Sequence, residues 1–158
     1  MRKVVDGMSA AKLNKLHWHL ADDQAFPLVL PSLPNLSKAG AFSLAERYSP
    51  WEVAAFIEYA ASRGVEVIPE VDIPGHSSSW CAAEPSICPS ACPTPLSPAS
   101  PRTITVLASV VADLLAMFGG TLHFGGDEVW TECWESSPEV VRYLQVTLAS
   151  LVFPSRLL

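Results

Sequence analysis

Two adjacent carboxylates, Asp127 and Glu128, follow an apolar run and two glycines in TLHFGGDEVWTECW, residues 121–134. Paired carboxyls carry out acid–base chemistry when one keeps its proton while its neighbour is ionised. In an extended strand, neighbouring side chains point to opposite faces, so these two share a site only if the backbone bends there. Gly125 and Gly126 permit the bend, and glycines at a strand end also let a ligand approach the backbone closely. By residue type alone, two solvated acids after a Gly-Gly turn explain the run equally well.

A second set of reactive groups is spread over the chain. His17-Trp18-His19 places two imidazoles on one face of an extended segment, and with His76, His123 and Asp127 they supply the donors of a metal-dependent hydrolase, an alternative reading. The four cysteines, Cys81, Cys88, Cys92 and Cys133, lack paired C-x-x-C spacing, which favours disulfides or free thiols over a zinc knuckle.

The 158 residues suit one domain, with 49% hydrophobic residues and a mean hydropathy of +0.27. A net charge of -6 and ten scattered basic residues argue against nucleic acid, which needs clustered Lys and Arg. No run reaches the roughly 18 uninterrupted apolar residues of a membrane span, and residues 1–7 do not read as a secretion signal.

The elements that must position the acids can be read in order. Residues 3–12 read as the end of a helix and 13–20 as a strand, with Leu16, Trp18 and Leu20 on one side and His17 and His19 on a polar but buried one. Pro27, Pro31 and Pro34 break a loop to about residue 45. Ser49-Pro50-x-Glu52 is a capping box with proline at the first helical position, opening a helix that ends at Gly64. Its stripe is Val53, Phe56, Ile57, Ala60 and Ala61. VEVIPEVD, residues 65–72, is a second strand, and the Pro- and Ser-rich residues 81–101 a long loop. Helix 103–118, with Leu107, Val110, Val111, Leu114, Leu115 and Phe118 on its apolar side, leads to a third strand at 121–124; Ser136-Ser137-Pro138-Glu139 starts a last helix. Alternating helix and strand predicts an α/β fold with a parallel sheet. Asp22 and Asp23, then Glu70, Asp72 and His76, then Asp127 and Glu128 all fall at strand C-terminal ends, the face where such folds bind ligands.

Three ordered segments, LHWHLADDQAFP, RGVEVIPEVDIPGHSSSW and LHFGGDEVWTECW, resemble successive motifs of the β-N-acetylhexosaminidases, glycoside hydrolase family 20. The resemblance covers about residues 4–144. Ala21, Ala25, Val71 and Ile73 depart from the commoner residues without removing a catalytic group. It implies a fragment of a (β/α)8 TIM barrel, about strands 2–4, as a partial catalytic domain over residues 1–145, with 146–158 an atypical apolar tail.

It further implies hydrolysis of terminal N-acetylhexosamine residues from an oligosaccharide or glycoconjugate, with no cofactor. In that chemistry the sugar's 2-acetamido oxygen attacks the anomeric carbon. Glu128 is then the general acid, Asp127 holds the acetamido N–H, and Asp22 and His76 form the supporting network. The resemblance also implies a Cys92–Cys133 disulfide, with Cys81 and Cys88 free or paired with each other, leaves room for a homodimer of the full-length enzyme, and implies a lysosomal, vacuolar or secreted compartment, with which the sequon Asn35-Leu36-Ser37 agrees. A third reading is a catalytically inactive truncated piece, because a complete barrel takes roughly 200 residues or more and only three strands are legible.

Overall fold

The computed structural model describes the backbone of residues 1–152 and the side chains of residues 1–147. Helix α1 (Arg2–Ala10) turns into β1 (Lys15–Ala21), and after α2 (Pro34–Gly40) and α3 (Pro50–Ala61) the chain returns as β2 (Glu66–Val71). The crossover makes β1 and β2 parallel neighbours, with His17 opposite Ile68 and His19 opposite Glu70. A short α4 (Ser78–Cys81), a 3₁₀ turn (Pro85–Ile87), α5 (Pro101–Phe118), α6 (Thr131–Ser136) and α7 (Pro138–Val152) complete the described chain.

The Ser49 capping box forms as the sequence predicts. Ser49 Oγ accepts the Glu52 N–H at 3.2 Å, and the Glu52 carboxylate accepts the Ser49 N–H at 2.9 Å. Val53, Phe56 and Ala60 of α3 are buried, whereas Ala61 faces outward. In α5 the buried stripe runs through Val106, Val110, Asp113 and Leu114 and leaves Leu115 exposed, so the helix is rotated from the apolar stripe expected of it. Asp113 is the reason: its carboxylate accepts the Ser32 N–H at 2.8 Å and the Ser32 hydroxyl at 2.9 Å, turning that face inward. Among the described residues α5 is the one helix long and apolar enough to cross a membrane, at a mean hydropathy of 1.5, but its stripe packs into the core.

The structure departs from the sequence pattern in three places. The loop before residue 45 contains α2, because Pro34 sits at a first helical position, where proline favours a helix. Residues 121–124 form a single parallel bridge, Glu70 with His123, in place of a third strand. Three hydrogen bonds of 3.0–3.1 Å still dock them along β2: His123 N–H to Pro69 O, Val71 N–H to His123 O and Ile73 N–H to Phe124 O. Positive φ at Gly119, Gly120 and Gly125 leaves too short an extended stretch for a ladder. The His17 and His19 face, expected to be buried, leaves both side chains about half exposed, since nothing described closes over it. Of the apolar tail expected at residues 146–158, residues 146–152 lie within α7 and residues 153–158 lie outside the described residues.

The opposite face of β1 meets the helices. Trp18 stands edge-on to Tyr48 and Phe56 at 5.1 Å, and Phe26 packs edge-on against the fully buried Trp80 at 5.0 Å. Each such burial contributes about 1.5–3 kcal/mol. This packing fixes the sheet from behind and leaves its other face and C-terminal edge to polar groups.

Candidate active site

The loop after β1 closes on itself between Asp22 and Ala25 through two backbone hydrogen bonds of 3.1 and 3.2 Å. Its acids then tie it to the loop after β2. Asp23 Oδ1 accepts the Ser78 N–H at 2.9 Å and the Ser78 hydroxyl at 2.8 Å, and the Ser79 hydroxyl donates to Asp22 O at 2.6 Å. His76 lies between them, with Nδ1 2.9 Å from Asp22 Oδ1 and Nε2 3.3 Å from Glu128 Oε2. The structure therefore brings Asp22, His76 and Glu128 into one line of contacts from three separate segments.

The acid loop is held by close backbone approach. A Cβ on Gly75 would come within 2.8 Å of Asp127 O, so only glycine lets the two loops meet there. Gly125 has φ +61, and a Cβ on it would overlap the Asp72 carboxyl group. Asp72 is buried, and its Oδ1 accepts the Gly126 N–H at 2.9 Å. The bend expected at the glycines extends into the acids, because Glu128 itself has φ +51, in the left-handed region. The Glu128 side chain is 78% exposed and open to a ligand.

Three charges in the network are shifted by their surroundings. Burial pulls the His76 imidazole down, but the hydrogen bond and charge of Asp22, with the charges of Asp72 and Asp23, outweigh it and leave the pKa raised. For Asp22 burial acts upward, and the Asp23 N–H with the His76 and His19 rings outweighs it, so its carboxyl lies below the ordinary value. Asp72 is raised by burial first, opposed by the Gly126 N–H, and raised further by a hydrogen bond to Asp127 and by that neighbour's charge.

Asp72 and Glu70 are the residues whose roles the sequence left unassigned. Asp72 stands under the acid loop, contacting Gly126 and Asp127. Glu70 is buried and gathers three imidazoles: His17 Nε2 at 2.5 Å, His19 Nδ1 at 3.2 Å and His123 Nδ1 at 3.0 Å. The other nitrogen of His19 is 3.0 Å from Asp22 Oδ2. An acid set between Pro69 and Val71 in the run VEVIPEVD, two positions before Asp72, is the signal for such a hub. The five donors of the metal-hydrolase reading do not converge: His17 and His123 meet at Glu70, whereas His76 groups with Asp72 and Asp127.

Two disulfides join the loops around the site. Cys92 pairs with Cys133, with Cα atoms 6.1 Å apart, and Cys81 pairs with Cys88 at 6.0 Å. The Cys92–Cys133 bridge and a Trp134 Nε1–H donation to Leu96 O at 3.1 Å fasten α6, which follows the acids, to the loop that precedes α5.

The sequence matches the family described as glycosyl hydrolase family 20, catalytic domain, over residues 1–151. It is 42% identical over 147 residues to Beta-hexosaminidase 1 of Arabidopsis thaliana, covering 92% of this chain and 27% of that protein. To the human Beta-hexosaminidase subunit beta it is 36% identical over 153 residues, covering 90% and 27%. The solved structure of Flavobacterium johnsoniae chitobiase superimposes with a TM-score of 0.83 at 28% identity, over 93% of this chain and 24% of that one. The chain thus spans about a quarter of the length of these relatives, and its helices and parallel strands are a segment of their TIM barrel. With all three motifs inside the matched span, the chain belongs to glycosyl hydrolase family 20, as part of its catalytic domain.

Proposed function

We propose that these residues are the acid-bearing part of a β-N-acetylhexosaminidase, which removes terminal N-acetylhexosamine by substrate-assisted retaining hydrolysis. The observation that supports this best is the line Asp22–His76–Glu128 beside Asp127, with the Glu128 carboxyl exposed at the end of a network that is otherwise anchored. Glu128 protonates the leaving oxygen and later takes a proton from water. Asp127, held beside the buried Asp72, meets the acetamido N–H and the developing oxazolinium with its carboxylate. No enzyme carboxylate attacks the sugar, which is why two acids on one short loop suffice. The substrates are oligosaccharides or glycoconjugates, and a lysosomal, vacuolar or extracellular setting suits them.

The test is Glu128→Gln in a chain carrying the whole barrel. Hydrolysis of an aryl N-acetylglucosaminide should largely disappear, with a much smaller loss for a very acidic phenol leaving group, which needs little protonation. Equal losses for good and poor leaving groups would remove Glu128 from the acid role.

A second reading concerns these 158 residues by themselves. The described sheet has two strands, and the polar face that would line a barrel is open, with Glu128 exposed. Unpaired strand edges and uncovered apolar side chains such as Trp51, Phe42 and Trp130 favour association. Expressed alone, the chain is expected to elute as oligomers and to be inactive. A monomer turning over at rates normal for a glycosidase would overturn this reading.

A further inference from the structure

Beside the acid loop, the same sheet face holds two imidazoles, His17 and His123, that the proposed hydrolysis does not use. His17 comes from β1, Glu70 from β2, and His123 from the segment docked along β2. We propose that these three side chains form a binding site for a divalent cation of the zinc type.

The donors already converge. One ligand atom from each residue lies within 4.8 Å of the others, and the His17 and His123 rings are 4.6 Å apart between centroids. Zinc with bonds of 2.0–2.1 Å in a tetrahedron spaces its donors by about 3.3 Å. His17 Nε2 at 2.5 Å and His123 Nδ1 at 3.0 Å from the Glu70 oxygens are therefore slightly too close for an occupied site, and small side-chain rotations open them to that spacing. Two imidazoles and one carboxylate match zinc, whereas calcium or magnesium prefers an all-oxygen set. The Glu70 side chain is only 6% exposed, and His17 and His123 are 50% and 49% exposed. Glu70 is thus the buried anchor of the set, and a water can supply the fourth ligand.

A purely hydrogen-bonded arrangement leaves one contact unsatisfied. His123 Nδ1 accepts the Gly125 N–H at 3.0 Å and also lies 3.0 Å from Glu70 Oε1. A ring nitrogen that accepts from Gly125 has no proton to give Glu70, so lone pairs face each other across the second contact. A cation between them turns that opposition into attraction. It also takes the Nδ1 lone pair from Gly125, an exposed amide that water can satisfy, and so links metal binding to the first residue of the acid loop.

The inference stands apart from the acid-pair reading, and its test needs no turnover. A chelator-stripped chain carrying the whole barrel is titrated with Zn²⁺ against a chromophoric competitor, and with Co²⁺ for its visible d–d bands. One ion per chain is expected, with tetrahedral-type cobalt bands and a shifted Gly125 amide resonance. His17→Ala and His123→Ala should each weaken binding by about tenfold or more, and His76→Ala should leave it in place. Glu70→Gln should behave like the histidine variants. Because Glu70 is buried, the half-exposed His17 carries the test if that variant misfolds. Absence of stoichiometric binding, insensitivity to both histidine substitutions, or loss with His76→Ala would overturn the site.

Discussion

Replacing Gly125 by alanine tests how the acid loop is held. Two costs follow from the structure. Alanine at φ +61 occupies the left-handed region at about 1–2 kcal/mol. Its Cβ also falls on the Asp72 carboxyl group and 2.9 Å from Asp72 Cα, in a place where the side chain is buried. Asp72 must turn away and give up the Gly126 N–H, leaving a buried group unsatisfied at about 1–3 kcal/mol. The sum is about 2–5 kcal/mol. Gly64→Ala is the control, because Gly64 has φ +71 with nothing near its added Cβ, so that variant feels the backbone cost alone. The assay is denaturant unfolding of a chain carrying the whole barrel, with turnover of an aryl N-acetylglucosaminide alongside. Gly125→Ala should lose more stability than Gly64→Ala and also lose activity, and in a cycle with Asp72→Ala the extra loss should shrink. If Gly125→Ala costs no more than Gly64→Ala, or its cost adds to that of Asp72→Ala without coupling, Asp72 does not hold the loop.

Asp127→Asn should lower turnover far more than substrate binding, since its charge acts on the cationic intermediate; a loss confined to binding would contradict that role. His76 should titrate above the ordinary histidine value of 6.5, and Asp22→Asn should bring it down, as read by NMR of the ring. Because the folded pKa is the higher one, the stability His76 contributes is fully present below about pH 6.5 and is lost as pH rises through the folded value. Stability that varies in the opposite sense across that window would show the Asp22 contact to be weaker than burial. Removing Cys92–Cys133, which closes a separation of 41 residues, should cost roughly 4 kcal/mol, against roughly 2 kcal/mol for Cys81–Cys88 with a separation of 7. Peptide mapping that finds Cys92 as a free thiol in oxidised protein would refute the pairing.

The parts of the fold with a local physical cause were legible in the sequence. The Ser49 box, Pro50 and the β-branched run before Asp72 act on their own neighbours, and each forms where the pattern places it. The acid pair was legible as well, since a glycine-permitted bend followed by two carboxyls is a local feature. What local pattern does not carry is contact between segments. Asp72 lies 54 positions from Gly126, and nothing near either residue in sequence announces the hydrogen bond between them. The third extended segment was misjudged for a related reason: its residues favour strand, but ladder formation depends on neighbours on both sides and on the glycines that bound it. Glu70 stood in plain view inside an apolar run, yet its partners His17, His19 and His123 come from two other segments.

Those cross-segment contacts explain why the acid loop can hold an unfavourable backbone. Glu128 in the left-handed region costs about 1–2 kcal/mol, and an exposed loop would relax it unless other contacts determined its position. Carboxylates and imidazoles alternate along one path, Glu70 to His19 to Asp22 to His76 to Glu128, with successive contacts of 3.2, 3.0, 2.9 and 3.3 Å. Each ring faces an acid on both sides, so moving one member leaves a charge or a donor without its partner. The path begins on a buried strand residue and ends on an exposed one. The Glu128 carboxyl is therefore referred to the sheet through side chains, while Gly75 and Asp72 refer its backbone to the same strand end. With both attachments in place, the strain at Glu128 stays where it aims the carboxyl outward. With either removed, the loop regains the freedom to let φ fall below zero and turn the acid away from His76.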